Sequence, residues 1–119
     1  MTNEQTFPNQ PERRKFKRIN KSCVVSYTPV KIGELKYDVS QTKDLSEGGL
    51  LFISDKKFEK GTILKIKLRL PEFLDYVIVQ AQVVDSTQRA RIVIYETRVS
   101  FIEVEQKIKD AIKRLVDYE

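Results

Sequence analysis

Residues 62–70 carry the clearest alternation in the chain, and that alternation limits the folds that can form. Apolar side chains alternate with cations along most of this segment. Successive side chains of a β-strand point to opposite faces of the sheet, so one face is buried and the other is wetted. The apolar set is Leu64, Ile66, Leu68 and Leu70, and the cationic set is Lys65, Lys67 and Arg69.

Five more segments resemble strands, and turn residues separate them. They cover residues 23–27, 34–44, 50–53, 76–85 and 92–101. Apolar residues then recur at steps of three and four, which predicts an amphipathic helix over residues 104–118. Its apolar stripe is Val104, Ile108, Ala111, Ile112, Leu115 and Val116. The sequence therefore predicts an all-β domain with one helix: a six-stranded antiparallel β-barrel closed by a C-terminal α-helix. The helix stripe should cover the open side of the sheet, with a dimer contact as the alternative.

Length and composition indicate one globular domain. The chain has 119 residues, of which 40% are hydrophobic and 33% charged. We expect a disordered tail over residues 1–11, a basic arm over residues 12–21 and a single barrel domain over residues 22–119. No apolar run approaches the ~18 residues of a membrane span, and the N-terminus lacks a signal-peptide core. A cytoplasmic location without membrane contact is expected.

Histidine and cysteine counts argue against catalysis. The chain contains no histidine and a single cysteine, Cys23. Ser-His-Asp and Cys-His nucleophilic catalysis, an intrachain disulfide, a thiolate metal cluster and a histidine metal site are therefore excluded. No paired-acid motif supports carboxylate chemistry. We expect no enzyme activity, no metal and no cofactor, and we expect Cys23 to be a small buried hydrophobe.

The basic arm is the feature that asks for a functional explanation. Residues 13–18 contain five cations and one aromatic residue, in a chain of formal net charge +5. Arg14 and Arg18 are four positions apart, so they point to one side in a helical turn and in an extended arm alike. A guanidinium can hold a phosphate with two donors, bind the edge of a guanine or stack on its ring. The arm predicts an anionic partner, either nucleic acid or a smaller phosphate ligand.

A second stretch, residues 44–49, allows two interpretations. In one, it is a plain turn in which Asp44 or Ser46 bonds its own backbone. In the other, Asp44 accepts hydrogen bonds from a guanine edge and Ser46 supplies a hydroxyl beside it. Gly48 and Gly49 would then permit a positive φ and keep the wall of the site free of side chains.

The two stretches together resemble the PilZ family of cyclic di-GMP receptors. Its RxxxR motif is matched by residues 14–18 and its [D/N]xSxxG motif by residues 44–49. The resemblance runs from Glu12 to Tyr118 and implies a PilZ-like split barrel in a bacterial second-messenger receptor. It implies that Arg14 and Arg18 hold the phosphates and guanines, and that Asp44 and Ser46 bond a guanine and the neighbouring phosphate. The implied ligand-binding residues are Arg13, Arg14, Lys17, Arg18, Asp44, Ser46, Gly48 and Gly49.

The resemblance bears on two further positions. An arginine before the first motif, here Arg13, is typical of members that bind two intercalated ligand molecules. Many relatives carry a glycine near the end of the last strand, where this chain has Arg98, so Arg98 is expected to form a wall of the pocket. The resemblance also implies a downstream protein of motility, adhesion or exopolysaccharide machinery. A ligand-independent PilZ-type adaptor and a nucleic-acid-binding small barrel stay open as alternatives.

Overall fold

The computed structural model describes residues 18–19, 22–30, 36–89 and 94–118. Within these residues it has seven strands and one helix, and all paired strands are antiparallel. The elements are β1 (Arg18–Ile19), β2 (Val24–Pro29), β3 (Asp38–Ser46), β4 (Gly49–Ser54), β5 (Ile63–Leu68), β6 (Val77–Gln88), β7 (Tyr95–Glu103) and α1 (Gln106–Asp117).

Strand β3 closes the barrel because it has a partner on each side. Residues 38–41 pair with β2, and residues 42–46 pair with β4. The ring β3-β2-β5-β6-β7-β4 then returns to β3. The predicted six-stranded antiparallel barrel with a C-terminal helix is thereby confirmed. The short strand β1 was not predicted, and it pairs with the last two residues of β3.

Several element boundaries differ from the predictions. Strand β3 was expected to end at Asp44, but it continues to Ser46 past an irregularity between Thr42 and Asp44. Such a bulge adds a residue without ending the strand. The helix begins at Gln106, because Glu105 still has an extended backbone (φ −60°, ψ 145°). The predicted start of the last strand, residues 92 and 93, lies outside the described residues.

One hydrophobic core fills the barrel and extends beneath the helix. The predicted inward face of β5 is buried, with Leu64, Ile66 and Leu68 at 0% exposure. The predicted helix stripe is buried too, at Ile108, Ala111, Ile112 and Val116. Cys23 is buried in the same core, as expected. Across the described ranges, no helix combines the length and the apolar character needed to cross a bilayer.

A chain of buried hydroxyl groups ties the β4–β5 loop to β6 and β7. Ser54 Oγ donates to the carbonyl of Lys56 at 2.8 Å, which uses its only hydrogen. Thr97 Oγ1, 2.8 Å from Ser54 Oγ, must therefore be the donor to it. Ser86 Oγ in turn donates to Thr97 Oγ1 at 2.8 Å and accepts from the backbone N–H of Phe58 at 3.2 Å. All these hydroxyl hydrogens thus have acceptors within the protein, as buried polar groups require.

Replacing Thr97 by valine is expected to lower the free energy of unfolding by about 2 kcal/mol, because the buried hydroxyl of Ser86 loses its acceptor. Urea unfolding followed by circular dichroism measures this difference. Thr97→Ser is the matched control, since it keeps the hydroxyl and removes one methyl group, at a cost of about 1 kcal/mol. A valine variant as stable as the wild type would mean that the hydroxyl chain contributes nothing.

Candidate ligand-binding site

Pairing of β1 with β3 places the end of the basic arm beside the second motif. Arg18 lies opposite Ser46, and Ile19 lies opposite Leu45. Ile19 is buried and belongs to the core, so it anchors this part of the chain against the barrel. Arg18, which is half-buried, then shares the outer face with Ser46, because directly opposed residues point to the same side of a sheet. The other predicted arm residues, Arg13, Arg14 and Lys17, lie outside the described residues.

Ser46 is buried and bonded within its own turn. Its Oγ donates to the carbonyl of Gly49 at 3.3 Å and accepts from the N–H of Gly48 at 3.2 Å. Glu47 and Gly48 form the two-residue connection between β3 and β4. Ser46 therefore bonds the backbone of its own turn, as in the first of the two interpretations of this stretch. A turn-bonded hydroxyl has a fixed position, which also suits it to contact a ligand.

Gly49 is required where β4 meets β7. A Cβ atom on Gly49 would lie 2.1 Å from the carbonyl oxygen of Val99 and 3.2 Å from Cα of Ser100. Its φ lies outside the left-handed region, so Gly49 does not use the positive φ that a glycine permits. The close approach of the two backbones needs a residue without a side chain. The fold alone therefore accounts for the glycine, whatever a ligand contacts.

Asp44 is nearly buried and forms an ion pair with Arg98. The Nη2 atom of Arg98 donates to Oδ2 of Asp44 at 2.8 Å, and Nη1 is 3.4 Å from Oδ1. The two side chains retain 12% and 24% exposure for Asp44 and Arg98 respectively. A carboxylate this poorly solvated needs such a partner, because an unpaired buried charge is costly. Arg98, predicted as a pocket wall, is therefore also the partner of the motif aspartate.

Strand register explains how residues so far apart in sequence meet. Asp44 lies opposite Leu51 on β4, and Leu51 lies opposite Arg98 on β7. The same row continues to Asp85 on β6. Arg98 therefore reaches across β4, over the half-buried Leu51, to contact Asp44.

A second row of outward positions runs beside the first. From Ser46 it passes through Gly49 to Ser100. The two rows form an outer-face site on four neighbouring strands. Leu51, Asp85 and Ser100 were missed from the sequence, although alternation marks the outward positions, because only the strand order makes them neighbours of the motif residues.

Comparisons with known proteins identify a matching family and solved structures of similar fold. The family model of the PilZ domain matches residues 12–118. A comparison with curated proteins finds no match. Among solved structures, the PilZ domain with c-di-GMP of YcgR from Escherichia coli has a TM-score of 0.68 at 15% identity. That match covers 90% of this chain and 91% of the other.

Two longer proteins contain a similar domain. The Bacillus subtilis inhibitor of motility, MotI/DgrA, has a TM-score of 0.76 at 17% identity, and the match covers 90% of this chain and 51% of that one. The K. pneumonia MrkH–c-di-GMP complex has a TM-score of 0.69 at 16% identity, with 90% of this chain and 51% of that chain covered. The present chain thus spans about half the length of these two proteins.

Proposed function

Because the chain belongs to the PilZ domain family, whose model matches residues 12–118, we propose that it is a non-enzymatic, cytoplasmic receptor for cyclic di-GMP. The observation that carries the proposal is the pairing of Arg18 with Ser46, beside the carboxylate of Asp44. This arrangement joins a cation from the first motif to the hydroxyl and acid of the second. Structures of YcgR and MrkH with c-di-GMP support the same ligand for this fold.

The ligand's chemistry matches the groups available at the site. Cyclic di-GMP carries two phosphates and two guanines, so it needs cations near its backbone and a hydrogen-bond acceptor at a guanine edge. Arg14 and Arg18 supply guanidinium groups for the phosphates and for the guanine O6/N7 edge. Asp44 supplies the carboxylate that accepts from the guanine N–H groups. Arg13, Lys17, Gly48 and Gly49 complete the proposed site, and Arg13 favours two stacked ligand molecules.

Ligand binding would act on a partner through the arm. Ordering a segment of chain costs ~1–2 kcal/mol per residue, so a ligand that closes the arm must return that free energy through several charge-assisted contacts. We expect the arm to have one position with the ligand and another without it. The ligand can change the affinity of a partner protein for the arm only by as much as its own affinity differs between these two positions. The motility inhibitor MotI and the transcription regulatory factor MrkH suggest motility or gene regulation as the kind of process affected.

One observation favours a second candidate, a ligand-independent adaptor. The Asp44–Arg98 ion pair satisfies the motif carboxylate without any ligand. A protein used only as an adaptor would keep this pair permanently. Direct binding measurements separate the two functions.

Isothermal titration calorimetry with cyclic di-GMP tests the receptor function. The wild type should bind, and Arg14→Ala should weaken binding by at least about tenfold, because a charge-assisted contact to phosphate or guanine contributes about 1.5–3 kcal/mol. Lys113→Ala is the control, since it removes one positive charge from the exposed side of α1. Equal affinity of the wild type and Arg14→Ala would refute the role of the arm, and no binding by the wild type would favour the adaptor.

A gel-shift assay addresses the remaining alternative. A nucleic-acid-binding barrel should shift single- or double-stranded oligonucleotides tightly and with little sequence preference. The receptor should leave them unshifted at concentrations that saturate it with cyclic di-GMP.

A further inference from the structure

The Asp44–Arg98 ion pair has the geometry of a two-donor fork on a carboxylate. Both terminal nitrogens of Arg98 face Asp44, one donor to each oxygen, at 2.8 Å and 3.4 Å. Arginine and carboxylate groups favour this arrangement, because the planar guanidinium carries parallel N–H groups at the spacing of the two oxygens.

A guanine base offers a carboxylate the same pattern. Its N1–H and its exocyclic N2–H are adjacent, parallel and coplanar, and they form the base's donor edge. The guanidinium of Arg98 therefore occupies Asp44 in the manner of a guanine. Two such groups cannot hold the same two oxygens at once.

Resting on the receptor function proposed above, we propose that Arg98 is an internal competitor of guanine for Asp44 and lowers the affinity of the site for cyclic di-GMP. Cyclic di-GMP binds by exchanging one two-donor group for another. The carboxylate then keeps a partner throughout, which matters because Asp44 is only 8% exposed as a residue.

The displaced arginine has a second carboxylate within its own row. Asp85 on β6 lies directly opposite Arg98 and is exposed to solvent. Directly opposed side chains on one face of a sheet are close enough to interact. The released guanidinium therefore moves from the carboxylate of Asp44, two strands away, to a solvated position beside the carboxylate of Asp85 on the adjacent strand.

The competition involves guanine and not adenine. Adenine presents an N6–H donor next to an N1 acceptor, so against a carboxylate it offers one donor and one repulsive lone pair. It cannot replace a two-donor guanidinium on Asp44. Cyclic di-AMP should therefore leave the ion pair in place, so removing Arg98 should not strengthen its binding as it strengthens that of cyclic di-GMP.

Calorimetry on Arg98→Met and Arg98→Lys tests the inference. Methionine keeps an unbranched stem over Leu51 but removes every donor, so cyclic di-GMP should bind about tenfold more tightly than to the wild type. Lysine keeps the charge but lacks the planar fork, so its affinity should lie between the two. Because only cyclic di-GMP has to displace Arg98, the methionine variant should also show a larger ratio of cyclic di-GMP to cyclic di-AMP affinity.

The outcomes separate this inference from the receptor function. Equal or weaker cyclic di-GMP binding by Arg98→Met, with the wild type binding, overturns the competition and leaves the receptor intact. If Arg98→Met binds cyclic di-GMP and the wild type does not, the receptor function and the competition are both supported, because Arg98 then blocks the site in the wild type. No binding by any folded variant rejects the receptor function and the competition together. Thermal unfolding confirms that each variant is folded, and Arg98→Lys gives the result if the methionine variant does not fold.

Discussion

Replacing Gly49 by alanine is expected to lower the free energy of unfolding by about 3 kcal/mol, because the new methyl group would lie 2.1 Å from the carbonyl oxygen of Val99. That oxygen belongs to the backbone of β7, so no side-chain rotation relieves the contact. Strands β4 and β7 would have to separate along part of their pairing. Chemical denaturation measures the loss.

Gly61→Ala is the informative control for this prediction. Gly61 has a φ of 94°, but a Cβ atom added there would have Nε2 of Gln82 as its nearest neighbour, at 3.9 Å. Alanine at this position introduces backbone strain without a clash, at about 1 kcal/mol. Similar losses at the two positions would contradict the close approach of β4 and β7. If Gly49→Ala loses much of its stability, weak ligand binding by this variant can result from unfolding. Its folding must therefore be checked before the result is interpreted as a lost ligand contact.

Raising the pH from 10 to 12 is expected to remove about 2–3 kcal/mol of stability through Tyr27 alone. Burial of this side chain, with the nearby carboxylates of Asp55 and Asp38, raises the pKa of Tyr27 to about 12 from its ordinary value of 10.0. The unfolded chain then ionises its phenol at a lower pH than the folded chain does. Stability is therefore fully present below pH 10 and is lost as the pH rises towards 12.

Tyr27→Phe isolates this contribution. At neutral pH the variant should be about 1 kcal/mol less stable, because the backbone N–H of Asp55 loses its acceptor. Phenylalanine cannot ionise, so the variant should lose less stability on alkalinisation. The two curves of unfolding free energy against pH should approach each other and cross between pH 10 and 12. Parallel curves would show that the phenol titrates alike in the folded and unfolded chains.

Local sequence pattern determined which side chains face inward. In a strand, residues two positions apart face the same side of the sheet. The alternation in β5 can therefore be recognised from the sequence without knowing the fold. The predicted inward face of β5 and the helix stripe were correct for this reason. The predicted helix start was two residues early, since the apolar Val104 continues the stripe although the helix begins only after the extended Glu105.

The motif residues were found as candidates, but their partners were not. Asp44 and Ser46 stand out locally as an acid and a hydroxyl beside two glycines, and the family resemblance suggested a ligand for them. Nothing near them in sequence indicates that Arg98, 54 residues away, holds the carboxylate.

Sequence alone thus determined the all-β class, the inward faces and the two motifs, because each rests on interactions within a few residues. The tertiary structure decided that β1 lies on β3, that Gly49 meets the carbonyl of Val99, and that Arg98 crosses β4 to Asp44. These three features depend on the register between strands around a closed ring. Register is set by the packing of the whole barrel at once, so no single segment encodes it.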